Sequence, residues 1–261
     1  MSRFPAPARI FVTGASSGIG RALAVEYARP GRQLGLLARR EALLGETAAA
    51  CRRRGAAVFV RAADVLDRAA MTTAAEAFLA WAGGVEMIVA NAGGGQPENL
   101  LDAAVLDQTL RLNVTGVAHT FAPFLPALRE AGRGLLVGVA SLAGYRGMPH
   151  APSYGAAKAA LISYLEALRI RVAPWGLRVA TVCPGYVRTP LTAGNPYMPW
   201  LLEPEHAARL IRRGLERGRS QIVFPWQLAL LVRLMHCAPN RLYDAFAREL
   251  SARRRAAGAS Q

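Results

Sequence analysis

Seven short apolar runs recur along this chain, and six helix-like stretches separate them. The runs are 9–13, 33–38, 57–62, 85–90, 134–140, 177–183 and 221–224, and the stretches between them are 18–29, 41–54, 68–82, 101–131, 152–173 and 203–217. Regular alternation of this kind implies parallel strands, because a helix must carry the chain back before the next strand can run the same way. The runs are nearly continuous in Val, Ile, Leu and Ala, as expected of strands covered on both faces. The expected fold class is therefore α/β: a Rossmann-type, doubly wound, parallel seven-stranded sheet in a single domain. Residues 1–225 are assigned to that domain and 226–261 to a helical C-terminal appendage. With 261 residues, of which 52% are hydrophobic and 19% charged, the chain can bury one substantial core.

The charge balance narrows the partners. Formal net charge is +15, but the Arg residues are spread along the whole sequence. The densest clusters, Arg52 to Arg54 and Arg253 to Arg255, read as helix-face and tail residues. A solvated basic surface is favoured over a polyanion site, and no nucleic-acid partner is expected. Cys51, Cys183 and Cys237 have no metal-ligand spacing and form no disulfide framework, so no metal is expected and a reducing, cytoplasmic setting is. The first apolar run is short and enters a glycine turn, unlike a secretory signal. No stretch reaches the ~20 apolar residues of a spanning helix.

Chemistry concentrates where runs end. The first run passes directly into Thr13-Gly14-Ala15-Ser16-Ser17-Gly18-Ile19-Gly20. Glycines permit a tight turn and close backbone approach, and the helix that follows presents free N–H groups and its positive dipole end to an anion. A strand, turn and helix in this order is a phosphate cradle for a dinucleotide. The second run ends in Ala38-Arg39-Arg40, with no acid before Glu41. An acid there binds a ribose 2′-hydroxyl, whereas Arg accommodates a 2′-phosphate, so Arg39 favours NADP(H) over NAD(H). The chain's one lysine, Lys158, lies four residues after Tyr154 and shares a helix face with it. An ammonium beside a phenol lowers its pKa and makes tyrosine a usable acid or base.

Together these motifs resemble the short-chain dehydrogenase/reductase family over roughly residues 8–225. Asp64 and Val65 match the family's adenine-contacting pair. Asn91, Ala92 and Gly93 match the end of its fourth strand, with Ala90 where a second Asn is usual. Asn113, Ser141, Tyr154 and Lys158 match its catalytic tetrad, and Pro184, Gly185, Val187 and Thr189 fall in its nicotinamide-side motif, Pro184 to Pro190. The resemblance implies a cofactor site built from Gly14, Ser16, Ser17, Gly18, Ile19, Gly20, Arg39, Asp64, Val65, Asn91 to Gly93, Tyr154, Lys158 and the residues of that last motif. It also implies that Asn113 holds a water linking Lys158 to solvent, and that Lys158 reaches the nicotinamide ribose.

The expected activity is hydride transfer between NADP(H) and a hydrophobic ketone or aldehyde and its alcohol. Tyr154 exchanges the proton and Ser141 holds the reacting oxygen. An NADP-binding sensor on the same fold is the alternative; it has no need of the acid. An epimerase of the related longer form lacks its extra C-terminal domain here. Segments 142–149 and 191–202, with Tyr145, Met148, Tyr197, Met198 and Trp200, are expected to wall the substrate pocket or an interface. His150 reads as a packing residue rather than a catalyst. The resemblance implies a homodimer through the helices at 101–131 and 152–173, with a tetramer as the further state through a second interface near the last strand. The appendage is expected to cover the pocket or an interface; peripheral membrane contact through 226–237 is left open and not favoured.

Overall fold

The computed structural model describes residues 6–95 and 102–258. The first residue of the expected helix at 101 and the side chains of the Arg253 to Arg255 cluster lie outside the described residues. Seven strands form one sheet: β1 (Arg9–Thr13), β2 (Gln33–Ala38), β3 (Ala57–Ala62), β4 (Met87–Ala90), β5 (Gly134–Val139), β6 (Leu177–Pro184) and β7 (Gln221–Phe224). Their order is β3-β2-β1-β4-β5-β6-β7, with every pairing parallel. The sheet doubles back between β1 and β4, which places the topological switch point at their carboxyl ends.

Helices α1 (Gly18–Tyr27), α2 (Glu41–Arg53) and α3 (Arg68–Ala82) connect the first four strands. The carboxylate of Asp67 accepts the Ala70 N–H at 3.0 Å and starts α3, while Gly83, at φ 68°, ends it in the left-handed conformation. The stretch expected as one helix over 101–131 is broken into α4 (Ala103–Leu110), a π-helical turn (Arg111–Thr115), α5 (Gly116–Phe121) and α6 (Leu125–Ala131). The break has a visible cause. The Asn113 side chain donates to the Thr109 carbonyl at 2.8 Å, taking an acceptor that the helix ladder would use. Helix α7 (Pro152–Val172) joins β5 to β6, α8 (Pro204–Glu216) joins β6 to β7, and α9 (Trp226–Cys237) and α10 (Asn240–Gly258) follow β7.

Two apolar layers cover the sheet. One packs α1, α2 and α8 against one face, around Ile10, Val12, Leu36 and Ile211. The other packs α3, α5 and α7 against the opposite face, around Phe11, Phe78, Phe121 and Leu165. Phe11, Phe78 and Phe124 form an aromatic core there, with centroids 4.9–6.3 Å apart. Gly35 opposite them has no room for a Cβ, which would fall 2.4 Å from the Phe11 ring. Strand β3 departs from the fully buried pattern, as the sheet edge it occupies dictates.

Candidate active site

Of the residues singled out in the sequence, Gly14, Ser16, Ser17, Gly18, Ile19, Arg39, Asp64, Val65, Asn91, Ala92, Gly93, Ser141, Tyr154, Lys158, Pro184, Gly185, Val187 and Thr189 line one cleft of about 380 Å³. It opens at the carboxyl ends of β1 and β4, the switch point of the sheet. Gly20 and Asn113 stand behind its wall. A Cβ at Gly20 would lie 2.4 Å from the Gly14 carbonyl oxygen, so this position can only be glycine if the turn is to close. Gly18, at φ 54°, adopts a conformation other residues rarely reach, with Thr189 packed against it. Asn91 braces the turn from β4: its Nδ2 donates to the carbonyls of Thr13 (3.1 Å) and Gly14 (3.3 Å).

The start of α1 is built for an anion. Ser17 caps the helix in an extended conformation, yet its side chain accepts no N–H of the first turn, and no acid occupies that turn. The hydroxyls of Ser16 and Ser17 instead accept from Arg40 Nη2, at 3.1 and 2.6 Å. Sequence reasoning passed over Arg40 in favour of its neighbour. The signal was present in the pair Arg39-Arg40, but only the fold brings residue 40 back over the glycine turn. Arg39 points the other way and pairs with Asp64 across 3.5 Å, while Asp64 Oδ1 accepts the Leu66 N–H.

At the opposite end of the cleft, Ser141 lies just past β5 and Tyr154 and Lys158 on the first turns of α7. Tyr154 hydrogen-bonds with Ser141. Ser141 also accepts the Ala143 N–H at 3.1 Å, which fixes its rotamer. Burial pushes the Tyr154 phenol up to about 12, and the Ser141 hydrogen bond only partly offsets that. Burial likewise pushes the Lys158 ammonium down to about 8. This corrects the expectation that Lys158 lowers the Tyr154 pKa in the protein alone. Lys158 Nζ donates to the Val139 carbonyl at 3.0 Å and sits 5.5 Å from the Tyr154 ring centroid, and desolvation is the largest cause of both shifts. Asn113 bonds Gly94 in both directions, donating to its carbonyl at 2.7 Å and accepting its N–H at 3.3 Å. A Cβ at Gly93 would fall between Asn113 Oδ1 and Lys158 Nζ, at 2.8 and 3.3 Å.

The expected substrate walls separate into two groups. Leu191 and Thr192 reach the cleft, and Tyr197 and Trp200 lie on the surface of the same segment. Tyr145 and Met148 instead line a second hollow of about 480 Å³ with Gly155, Ala156 and Ala159, on the face of α7 turned from the cleft. The loop carrying Tyr145 is gripped by the C-terminal helices. Arg146 donates to the His236 carbonyl (3.1 Å) and to Asn240 Oδ1 (2.9 Å), and its guanidinium stacks 4.4 Å over the Tyr243 ring. The Tyr243 hydroxyl donates to the Gly147 carbonyl, and His236 Nδ1 bonds the Tyr145 carbonyl.

A doubly wound sheet with a glycine turn and an uncapped helix start at its switch point defines a dinucleotide-binding protein of the α/β class. The family is then fixed by comparison: the model described as "short chain dehydrogenase" matches residues 8–198, and the chain belongs to the short-chain dehydrogenase/reductase family of oxidoreductases. It is similar to an uncharacterized oxidoreductase of Myxococcus xanthus, with 42% identity over 92% of this chain and 96% of that one. It is also similar to the estradiol 17-beta-dehydrogenase 11 of Rattus norvegicus, with 30% identity over 93% of this chain and 83% of the relative. Among solved structures, a short chain dehydrogenase/reductase from Burkholderia phymatum in complex with NAD superposes with a TM-score of 0.82, at 27% identity, covering 89% of this chain and 94% of that one.

Proposed function

We propose that the protein is an NADP(H)-dependent oxidoreductase that interconverts a hydrophobic ketone or aldehyde and its alcohol. The observation that carries this reading is the convergence of Ser141, Tyr154 and Lys158 on one end of the cleft, with a neutral phenol hydrogen-bonded to Ser141. The other end fits a dinucleotide: the glycine turn leaves no room for a Cβ at Gly14 or Gly20, and the first turn of α1 is free of side-chain caps. When bound, the nicotinamide supplies or accepts the hydride.

The remaining chemistry belongs to this chain. In the reducing direction Tyr154 gives its phenolic proton to the substrate oxygen as negative charge builds there. Ser141 donates a hydrogen bond to the same oxygen and holds it at the end of the cleft. The phenolate left behind is stabilised by the Lys158 ammonium, which passes on a proton to restore the phenol. Asn113, by fixing the Gly93–Gly94 backbone, keeps Lys158 directed at the site. In the oxidising direction each transfer reverses.

NADP(H) is favoured by two arginines at the end of β2, Arg40 held over Ser16 and Ser17 and Arg39 beside Asp64. Two guanidiniums there suit a 2′-phosphate, and no acid before Glu41 repels one. The NAD of the Burkholderia protein does not transfer on fold likeness alone. A hydrophobic substrate is supported by the apolar side chains at the mouth, Leu191, Tyr197 and Trp200, and by the steroid substrate in the name of the rat relative. Residues 1–225 are taken as the catalytic domain and 226–261 as its appendage.

The test is a panel of ketones, aldehydes and secondary alcohols followed by nicotinamide absorbance, with wild type and Tyr154→Phe. Phenylalanine keeps the ring and deletes the proton donor, so turnover falls by at least about 100-fold, while NADPH binding measured by fluorescence is unchanged. Near-wild-type turnover in the variant overturns the mechanism. NADPH binding with no turnover on any member of the panel favours the sensor reading.

A further inference from the structure

We propose that the rim formed by the segment after β6 and by helix α9 docks on an anionic lipid bilayer. The inference goes beyond the reaction proposed above and does not depend on it. β6 and β7 are parallel neighbours, so the segments that leave them emerge on one edge of the sheet, the edge on which the cleft opens. The two segments touch there: a Cβ at Gly185 would fall 2.7 Å from Leu228 of α9.

Trp226, Leu230 and Leu234 recur at every fourth position of α9 and form a stripe on one side of it. Their relative exposures are 71%, 52% and 58%, although the same helix packs on the protein through Leu228, against Gly185, and through the buried Ala229. Trp200, after β6, and Leu242, on α10, are exposed as well. A single exposed Leu needs no explanation, but aligned large apolar side chains in one region mark an interaction surface.

Charge selects the partner. Stretch 225–243 contains Arg233 and Arg241 and no Asp or Glu, in a chain of net charge +15, while Arg188 of the segment after β6 is paired with Glu203 at 2.8 Å. Arg233 is exposed and lies at heptad spacing from Trp226, on the stripe itself. That pattern complements anionic headgroups, with Trp and Arg at headgroup level and Leu in the acyl boundary. Pairing two copies through the same face brings Arg233 against like charge. Among the described residues no helix is long and apolar enough to cross a membrane, so the contact is a surface one. The grip of Arg146, His236 and Tyr243 on the 145–147 loop fixes α9 relative to the site, so docking sets the cleft mouth against the lipid. An apolar substrate dissolved in the bilayer then has a short path to Tyr154.

The experiment is sedimentation of the purified full chain with phosphatidylcholine vesicles, with and without phosphatidylglycerol, for wild type and for the double variant Leu230→Glu, Leu234→Glu. The wild type is expected to sediment only with the anionic vesicles, and the double variant to lose that binding by about tenfold or more with an unchanged melting temperature. If the double variant does not fold, Trp226→Ala combined with Arg233→Gln replaces it with the same expected loss. Failure of the wild type to bind anionic vesicles overturns the proposal. So does binding that salt removes but the substitutions leave intact, which marks general basicity. A wild-type dimer that the same substitutions split into monomers, without vesicle binding, assigns the face to a second copy instead. None of these readouts involves turnover, so an error in the proposed reaction leaves them untouched.

Discussion

At position 154 burial holds the phenol in its neutral form, and at position 158 burial weakens the hold of the ammonium on its proton. These opposite shifts set a sign for the pH dependence. Lys158 has its pKa lowered to about 8, so it is charged below that pH and loses its charge above it. Carbonyl reduction is therefore expected to be level below pH 8 and to decline above it, as the phenolate formed in turnover loses its stabilising ammonium. A profile of kcat against pH that instead rises through 8 to 9 removes Lys158 from the proton path. The cofactor end has its own test. Replacing Ala38 with Asp and Arg39 with Gln puts an acid where the 2′-phosphate is proposed to sit and removes one guanidinium. The ratio of NADPH to NADH affinity is expected to fall about ten- to a hundredfold, the range of a lost charge-assisted contact. Arg40→Leu is expected to weaken NADPH as well, because its guanidinium is already held over Ser16 and Ser17. Wild-type protein that binds NADH more tightly than NADPH contradicts the role given to both arginines.

Among the elements, those whose information is local were legible in advance. The strand-to-helix turn at Gly14 to Gly20 and the Tyr154/Lys158 pairing on α7 announce themselves within a few residues. The long helix after β4 was not read correctly, because its interruption depends on where one side chain bonds: Asn113 takes the Thr109 carbonyl and turns back to Gly94. Arg40 was missed for a related reason, since its partners lie 23 and 24 residues earlier. The grip of α9 and α10 on the loop after Ser141 could not be read at all. Arg146 meets His236 and Asn240 across 90 and 94 residues, and no periodicity encodes such a contact. That grip can be tested. Arg146→Ala removes two charge-assisted hydrogen bonds and a stacked cation, releasing the loop that begins at the substrate side of Ser141. KM for the carbonyl substrate is expected to rise about tenfold while the NADPH affinity, set at the far end of the cleft, is unchanged. A lower melting temperature with an unaltered KM reduces Arg146 to a purely structural contact.

For the whole molecule, a homodimer is the expected state, formed through α4 and α7. Burial in the protein's own core limits the surface of α7 available for it. Leu165 is fully buried in its own core against Gly138, whereas Ala160 and Ile170 are exposed. Small side chains at such a face let helices approach closely, and Ile170, 65% exposed, supplies apolar area. Light scattering on the full chain is expected to give twice the mass of the protomer, and Ala160→Glu to give the protomer alone. A wild-type monomer refutes the helix interface, and a tetramer that truncation near Phe224 leaves intact refutes the view that α9 and α10 occupy the second interface, near β7. One more property belongs to the molecule as a unit. Lys158 is its sole lysine, enclosed beneath the cleft and holding its proton less firmly than an ordinary lysine. To acylating or aldehyde reagents the protein therefore offers a single side-chain amine, set in the wall of the nucleotide's own cleft. Modification at that amine, and its blockade by added nucleotide, turns the site into a built-in reporter of occupancy that needs no substrate.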